Sequence, residues 1–295
     1  METAVFLAAG AIAFGAGCLA RSRYERDCLV TEEYRIASEK IHGQGKTIVF
    51  LTDLHNKEFG EENSRLLETV RKVKPDAVLF GGDGMVAKRG NSDVRIPLAL
   101  LTELAKEFPV YCGNGNHESR MVWKTDVYGE TYEHYRMALE DAGIRYLSNE
   151  AADLDSDIRI YGLDLPKSAY RPRSGEIPEG LLKETLGEPD PEKFCLLLAH
   201  SPLFFEEYAA WGADLTLSGH FHGGTIRLPL VGGVMTPQYQ FFYPRCAGYF
   251  ELPGKGREKS RMIVGRGLGT HSINIRLNDK PQVVVVRLCG ADTQQ

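Results

Sequence analysis

Five short motifs, each placed directly after an apolar run, constrain this chain more than any other feature of its sequence. In chain order they are Asp53-Leu54-His55, Gly82-Asp83, Gly115-Asn116-His117-Glu118, Ala199-His200 and Gly219-His220-Phe221-His222. The chain has eight histidines, and five of them fall inside these motifs, which packing alone would not produce. Carboxylate, imidazole and amide groups are ligands that Mn²⁺, Fe and Zn²⁺ accept. The motifs therefore predict a metal site.

The runs before the motifs predict strands of an α/β fold. Segments 46–51, 77–80 and 110–112 are apolar and rich in β-branched residues, and helical periodicity separates them at 66–73 and 96–108. The second half contains further predicted strands, at 158–161, 194–199, 215–217, 248–250, 262–264 and 283–288. Ligand sites in open α/β sheets lie at the carboxyl ends of strands, where these motifs fall. We expect one catalytic domain over residues 46–290.

The spacing of the motif residues matches what two neighbouring divalent ions require. Two ions about 3.5 to 4 Å apart share a bridging carboxylate and a water. Asp83, set off by glycines at a strand end, can present one oxygen to each ion. Asp53 and His55 are two residues apart, so a regular strand would point both toward one ion. His220 and His222 have the same spacing, although a turn after Gly219 could send them to different ions.

The predicted chemistry is hydrolysis of a phosphoester by a hydroxide that bridges the two ions. Such a water loses a proton near neutral pH because both cations stabilise hydroxide. Asn116 offers a neutral carbonyl oxygen as a further ligand, and His117 can give the leaving oxygen a proton. Arg266, in a loop with three glycines, is a candidate for binding the substrate anion, or else a surface residue of a tight hairpin. Arg120 and His271 are weaker candidates of the same kind.

The five motifs resemble the series D-x-H, G-D, G-N-H-[DE], H and G-H-x-H of the calcineurin-like metallophosphoesterase superfamily. Within it the chain looks most similar to the bacterial YkuE-like membrane-associated group, through Ser218-Gly219-His220-Phe221-His222-Gly223-Gly224 and Gly265-Arg266-Gly267-Leu268-Gly269. The resemblance implies a four-layer α/β/β/α sandwich of two mixed sheets, with a dinuclear metal site at the strand C-terminal ends. It also implies a first ion held by Asp53, His55, Asp83 and His222, a second held by Asp83, Asn116, His200 and His220, and a phosphate contact from His117.

The N-terminus is the second distinctive segment. No charged residue occurs between positions 3 and 20, and Arg21, Arg23 and Arg26 follow. The run is at the short end of the roughly 17 to 25 residues that cross a bilayer as a helix. Because the positive charges follow the run and only Glu2 precedes it, we predict an uncleaved membrane anchor at 1–26 and a cytoplasmic catalytic domain. Residues 27–45 are predicted to be a polar tether; an amphipathic or buried helix is the alternative for the anchor.

The composition and net charge of the chain indicate which partners and substrates to expect. The net charge of −5 and the absence of a basic stripe disfavour nucleic acid as a partner. We expect a phosphomonoester, phosphodiester or pyrophosphate as substrate, and the predicted anchor favours a lipid-linked or envelope-related one. Mn²⁺ is the expected ion for the mixed carboxylate and imidazole set, with Fe, Zn²⁺ and Mg²⁺ as alternatives. A catalytically silent metal-binding sensor or scaffold is the alternative function.

Overall fold

Two six-stranded mixed sheets form the centre of the protein, whose computed structural model describes residues 2–255, 259–270 and 273–291. The strands are β1 Val30–Ser38, β2 Lys46–Leu51, β3 Ala77–Phe80, β4 Val110–Gly113, β5 Arg145–Leu147, β6 Glu150–Asp153, β7 Ile158–Leu163, β8 Phe194–Ala199, β9 Leu215–Ser218, β10 Arg227–Leu228, β11 Gly232–Gly233, β12 Gly248–Pro253, β13 Lys259–Val264 and β14 Gln282–Gly290. The helices are α1 Glu2–Glu25, α2 Ser64–Val73, α3 Arg95–Ala105, α4 Asn116–Trp123, α5 Thr125–Tyr128, α6 Thr131–Asp141, α7 Leu181–Leu186 and α8 Phe205–Trp211.

The order of the strands brings the ends of the motif-bearing strands to common edges. The first sheet has the order β1-β14-β2-β3-β4-β5, and β2 to β5 run parallel. The second sheet has the order β12-β13-β9-β8-β7-β6, in which β7, β8, β9 and β13 run parallel. Because parallel neighbours end at the same edge, the turns after β2, β3 and β4 lie side by side, and so do those after β8 and β9.

Side-chain alternation along the strands builds four layers. On β2, Val49 belongs to a buried cluster that includes residues of α2, α3 and α6, while its neighbour Ile48 belongs to the cluster between the two sheets. On β8, Leu197 belongs to a cluster that includes residues of α7 and α8, while Leu196 lies in the cluster between the sheets. Successive residues of a strand point to opposite faces, so apolar residues at both kinds of position bury both faces of each sheet. The predicted α/β/β/α sandwich of two mixed sheets is confirmed.

Residues 30–38 differ from the polar tether predicted for them. They form β1, which pairs in parallel with β14 along its whole length, from Val30 opposite Gln282 to Ser38 opposite Gly290. Charged residues occupy many positions of β1, because one face of this edge strand is exposed. The partner strand lies about 250 residues further along the chain, so local composition gave no sign of the pairing.

The N-terminal run does form a helix, α1, but the predicted transmembrane anchor is not supported. None of the helices in the described part of the chain has the length and apolar character that a bilayer span requires. The cytoplasmic location of the catalytic domain stays a prediction.

Candidate metal centre

The turns after five strands carry the predicted ligands into one buried cluster. Three of these strands, β2, β3 and β4, belong to the first sheet, and β8 and β9 belong to the second. Each of the eight residues is at most 7 % exposed, so their side chains face one another rather than solvent. The eight are Asp53, His55, Asp83, Asn116, His117, His200, His220 and His222.

Two groups of side chains each gather potential ligand atoms around one point. In the first group, His222 Nε2 lies 3.6 Å from Asp53 Oδ1, and His55 Nε2 lies 3.1 Å from His222 Nε2. In the second group, Asp83, His200 and His220 offer three ligand atoms within 4.8 Å of one another. Clusters of carboxylate and imidazole with this spacing are typical of a divalent metal site.

Asp83 lies between the two groups. Its Oδ2 is 3.3 Å from His200 Nε2 of the second group and 3.7 Å from His55 Nε2 of the first. The backbone N–H of His117 donates to Asp83 Oδ1 at 2.8 Å and fixes the orientation of the carboxylate. Asp83 therefore has potential ligand atoms of both groups within 4 Å of one carboxylate oxygen.

A buried amide oxygen supports the fit of a cation. Asn116 is buried, and its Oδ1 has no hydrogen-bond donor among the described residues. A buried carbonyl oxygen without a partner is costly, and a bound cation would satisfy it. Asn116 begins α4 directly after β4, next to the clustered carboxylates. The residues present therefore fit divalent ions.

Hydrogen bonds at Nδ1 divide the imidazoles into two kinds. His200 Nδ1 lies 2.7 Å from the carbonyl oxygen of Gly81, and His222 Nδ1 lies 3.2 Å from that of Gly269. A carbonyl only accepts, so each of these Nδ1 atoms carries the proton and leaves the Nε2 lone pair for a cation. At His117 the Nδ1 instead accepts the N–H of Ala87 at 2.9 Å, so a neutral ring carries its proton on Nε2. Proton donation by His117 stays a prediction, and its ring also lies close to His55 and Asp83.

The loop after Asp83 keeps the N–H of Ala87 directed at Nδ1 of His117. The side chain of Asn56 accepts the N–H of Val86 at 2.8 Å and so fixes the segment before Ala87. Arg120 Nη1 donates to the carbonyl oxygen of Ala87 at 2.9 Å. Arg120, a weaker candidate for substrate binding, therefore braces the loop that sets the His117 tautomer.

The backbone of the ligand residues differs from the regular strand predicted for Asp53 and His55. Both have positive φ, 54° and 47°, and so lie in turns beyond the end of β2. Asp83, His220 and His222 also have positive φ. A left-handed conformation costs a non-glycine residue on the order of 1 kcal/mol or more and persists where the surroundings enforce it. Strained turns, rather than strand alternation, bring these side chains together.

The two aspartates of the cluster have opposite pKa shifts. Burial raises the pKa of Asp53 to about 6, because the nearby His200 offsets only part of that effect. Burial acts in the same direction on Asp83, but the imidazoles of His200, His117 and His55 outweigh it and hold the pKa of Asp83 well below its usual value. Asp83 is therefore ionised, which suits a residue that lies between the two ligand groups.

Glu118 is a functional residue that the sequence pattern left without a role. Its Oε2 accepts the N–H groups of Asp83 and Gly115 at 2.8 and 2.9 Å, and its Oε1 accepts that of Gly84 at 2.8 Å. The carboxylate thereby joins the turn after β3 to the turn after β4. Its place as the acidic residue that ends the motif Gly115-Asn116-His117-Glu118 was the signal in the sequence.

The close approach of these two turns predicts a specific glycine requirement. Gly82 has φ +87°, and a Cβ there would lie 2.0 Å from the backbone nitrogen of Gly115. Gly82→Ala is expected to lower the free energy of unfolding by about 3 kcal/mol or more, through strain and overlap together. Gly90 is the matched control, since it has φ +80° but nothing within 4 Å of the added Cβ. Equal losses of unfolding free energy for the two variants, measured by urea denaturation, would contradict the close approach of Gly82 to Gly115.

Arg266, the predicted substrate-binding residue, lies in a cleft bordered by α1 and β1. Its Nη2 is 3.4 Å from Glu32, and its backbone N–H donates to Gln282 Oε1. Neither partner belongs to the ligand cluster, so a substrate contact by Arg266 stays a prediction. His271 lies outside the described residues.

The fold and the cluster together define a class, namely two-sheet α/β proteins with a divalent metal site at the ends of their strands. Residues 46–224 match the family model described as calcineurin-like phosphoesterase. The chain belongs to this family, since the match covers more than half of its length.

Three relatives span nearly the whole chain. It is 28 % identical to the uncharacterized metallophosphoesterase YkuE of Bacillus subtilis, over 96 % of this chain and 93 % of that protein. It is 30 % identical to the phosphodiesterase YaeI of Escherichia coli, over 86 % of each chain. It is 20 % identical to the UDP-2,3-diacylglucosamine pyrophosphatase LpxG of Chlamydia muridarum, over 86 % of this chain and 87 % of that protein. The predicted likeness to the YkuE-like group is confirmed, and the family supports a hydrolase.

Proposed function

We propose that this protein hydrolyses a phosphoester or pyrophosphate bond at a centre of two divalent ions. The observation that carries the proposal is the position of Asp83 between two groups of ligand atoms. The names of two relatives, a phosphodiesterase and a pyrophosphatase, support the same bond class.

The chain offers a ligand set for each ion. Asp53, His55, Asp83 and His222 would hold the first, and Asp83, Asn116, His200 and His220 would hold the second. When bound, the ions would supply an activated water and positive charge for the phosphate oxygens. Mn²⁺ is the ion that we propose for the mixed oxygen and nitrogen set, with Fe, Zn²⁺ and Mg²⁺ as alternatives.

His117 has the separate role of a proton donor in this proposal. The Ala87 N–H occupies its Nδ1, so Nε2 presents a hydrogen to the leaving oxygen of the substrate. The ring of His117 is fully buried, and the loop that carries Val86 and Ala87 fixes its orientation. The Nε2–H therefore keeps its direction without reorganisation.

We propose an apolar chain on the substrate, consistent with the lipid-linked class expected from the sequence. A cavity of about 80 Å³ beside His222 is lined by Met235, Tyr239 and Ile273, among others. The segment that borders this cavity exposes further large apolar side chains, namely Leu228, Leu230, Val231, Phe241 and Phe242. Apolar surface gathered at one place is typical of a binding site. The diacyl substrate in the name of the relative LpxG supports the same class.

The bond type is tested with the full chain and Mn²⁺. The substrates are p-nitrophenyl phosphate, its bis ester and a nucleotide-diphospho-sugar. Metal-dependent turnover of one class is expected, and that class names the bond. Two bound ions without turnover of any phosphate ester, including lipid-linked ones, would favour a silent sensor or scaffold instead.

The apolar chain is tested with methyl and octyl esters of p-nitrophenyl phosphate. The octyl ester should have a KM at least about tenfold lower, since each buried CH₂ contributes about 0.8 kcal/mol. Tyr239→Ser should reduce this ratio, whereas Met137→Gln, which alters an exposed apolar residue on α6, should retain it. Equal KM values for the two esters in the wild-type chain would contradict the proposed substrate class.

A further inference from the structure

Arg276 is buried next to the metal centre and binds backbone carbonyl groups. It is 1 % exposed, which is rare for arginine. Its Nη2 donates to the carbonyl oxygens of Arg266, Gly267 and Gly269 at 2.9, 3.2 and 2.7 Å. Its Nη1 donates to the backbone and side-chain oxygens of Asp279 at 3.1 and 3.3 Å. The planar guanidinium is suited to this, since its donors point outward in a fixed fork.

The loop that Arg276 holds touches two of the proposed ligands of the first ion. The N–H of Gly269 donates to the carbonyl oxygen of Asp53 at 2.6 Å, and that of Leu268 does so at 3.2 Å. A Cβ at Gly267 would lie 2.7 Å from the Cβ of Asp53, so backbone packs directly against this ligand. The carbonyl oxygen of Gly269 also accepts the Nδ1–H of His222 at 3.2 Å. The position of this loop therefore sets the orientation of both ligands.

Asp279, the buried carboxylate that pairs with Arg276, supports the turn after His222. A Cβ at Gly223 would lie 2.1 Å from Asp279 Oδ1, so the carboxylate packs against the residue that follows the ligand. Arg276 and Asp279 thus lie between the loop at 266–269 and the turn at 222–223. Loss of the guanidinium would release both at once.

The last turns of α1, near the N-terminus, bind the backbone of Arg276 and Asp279. Ser22 Oγ accepts the backbone N–H of Arg276 at 2.9 Å, and Glu25 Oε2 accepts that of Asp279 at 3.4 Å. Both side chains are buried, although most of the preceding part of α1 is exposed. The N-terminal helix is thereby connected to the support of the metal centre through two hydrogen bonds.

We propose that Arg276 is a positioning residue for the first metal site, and that α1 is part of its support. Arg276 binds the carbonyl oxygens of Gly267 and Gly269 and so fixes the loop whose N–H groups hold Asp53 and whose Gly269 carbonyl binds His222. Ser22 acts one step further away by fixing the backbone of Arg276. This inference rests on the proposed function, because the two ligands that it concerns belong to the proposed first ion.

The test is a titration of the full chain with Mn²⁺ against a competing chromophoric chelator, which reports two dissociation constants without any turnover. In Arg276→Lys a single side-chain nitrogen replaces two, so it cannot bind the three carbonyl oxygens and Asp279 at the same time. One dissociation constant should rise about 10- to 100-fold, as when other supports of metal ligands are removed, while the other stays near its wild-type value. Arg245→Lys is the matched control, since Arg245 forms an ion pair with Glu206 at the surface.

A second variant tests the connection to α1 and does not depend on the tolerance of a buried lysine. Ser22→Ala removes one hydrogen-bond acceptor and should raise the same dissociation constant about fivefold, the effect of a single hydrogen bond. Ser156→Ala, at an exposed position, is its control. If Arg276→Lys does not fold, as judged by circular dichroism, Ser22→Ala decides alone.

The outcomes separate this inference from the proposed function. A wild-type chain that binds fewer than two ions would contradict the dinuclear proposal and the inference with it. Two ions in the wild type, with unchanged affinities in folded Arg276→Lys and in Ser22→Ala, would overturn the inference only. A loss of thermal stability with unchanged affinities would show that Arg276 supports the fold but not the metal site.

Discussion

Asp83→Asn is expected to remove both ions and hydrolysis together. The side chain keeps its shape but loses the charge that both ligand groups surround. We expect metal content to fall from two ions to less than one per chain. The value of kcat/KM should fall at least about 10³-fold, on the order of 4 kcal/mol of transition-state stabilisation. The measurements are elemental analysis of the purified chain and hydrolysis at saturating Mn²⁺.

The control for this variant is Asp141→Asn, which alters an exposed carboxylate at the end of α6. It should keep both ions and full activity. An Asp83→Asn chain that lost only one ion would mean that Asp83 belongs to a single site, and one that kept both would exclude it as a ligand.

His117→Ala should separate catalysis from metal binding. The ring holds its Nδ1 toward the Ala87 N–H, so its expected role is to give a proton and not to bind an ion. Both ions should stay bound, while kcat falls about 10²- to 10⁴-fold for an alkyl ester. The loss should be smaller for a p-nitrophenyl ester, since that leaving group departs readily without a proton.

The exposed His134 on α6 provides the matched control, and His134→Ala should leave turnover and metal content unchanged. Two results for His117→Ala would contradict its role as a proton donor. If His117→Ala lost one ion, the ring would be a ligand within the group that it forms with His55 and Asp83. Equal losses for the alkyl and p-nitrophenyl esters would argue against proton donation.

The sequence predicted the strands and the candidate ligand residues because both depend on local patterns. Apolar runs such as 46–51 and 194–199 became buried strands, and the motif after each strand took its place at the strand end. Parallel strands end together, which predicts that Asp53 and Asp83 meet at one edge of the first sheet. His200 follows a strand of the second sheet, and its place beside them was implied by the family resemblance.

The sequence did not predict the features that form between distant segments of the chain. β1 pairs with β14, and Ser22 binds Arg276, at separations of about 250 residues that no local pattern encodes. Arg276 has no motif around it, because it acts on backbone carbonyl groups, which every residue carries.

The conformation of the turns was also beyond local prediction. A regular strand would have placed Asp53 and His55 on one face, and the observed positive φ at both is enforced by contacts from elsewhere. The loop around Leu268 supplies one of these contacts through the carbonyl oxygen of Asp53. Spacing therefore predicted which residues meet, but not how they do so.

The central claim is that Asp83 joins two metal sites, and anomalous diffraction from crystals grown with Mn²⁺ tests it most directly. We predict two peaks about 3.5 to 4 Å apart with a carboxylate oxygen of Asp83 between them. The first should lie among Asp53, His55 and His222, and the second among Asn116, His200 and His220. A single peak, or two peaks of which only one contacts Asp83, would contradict the account.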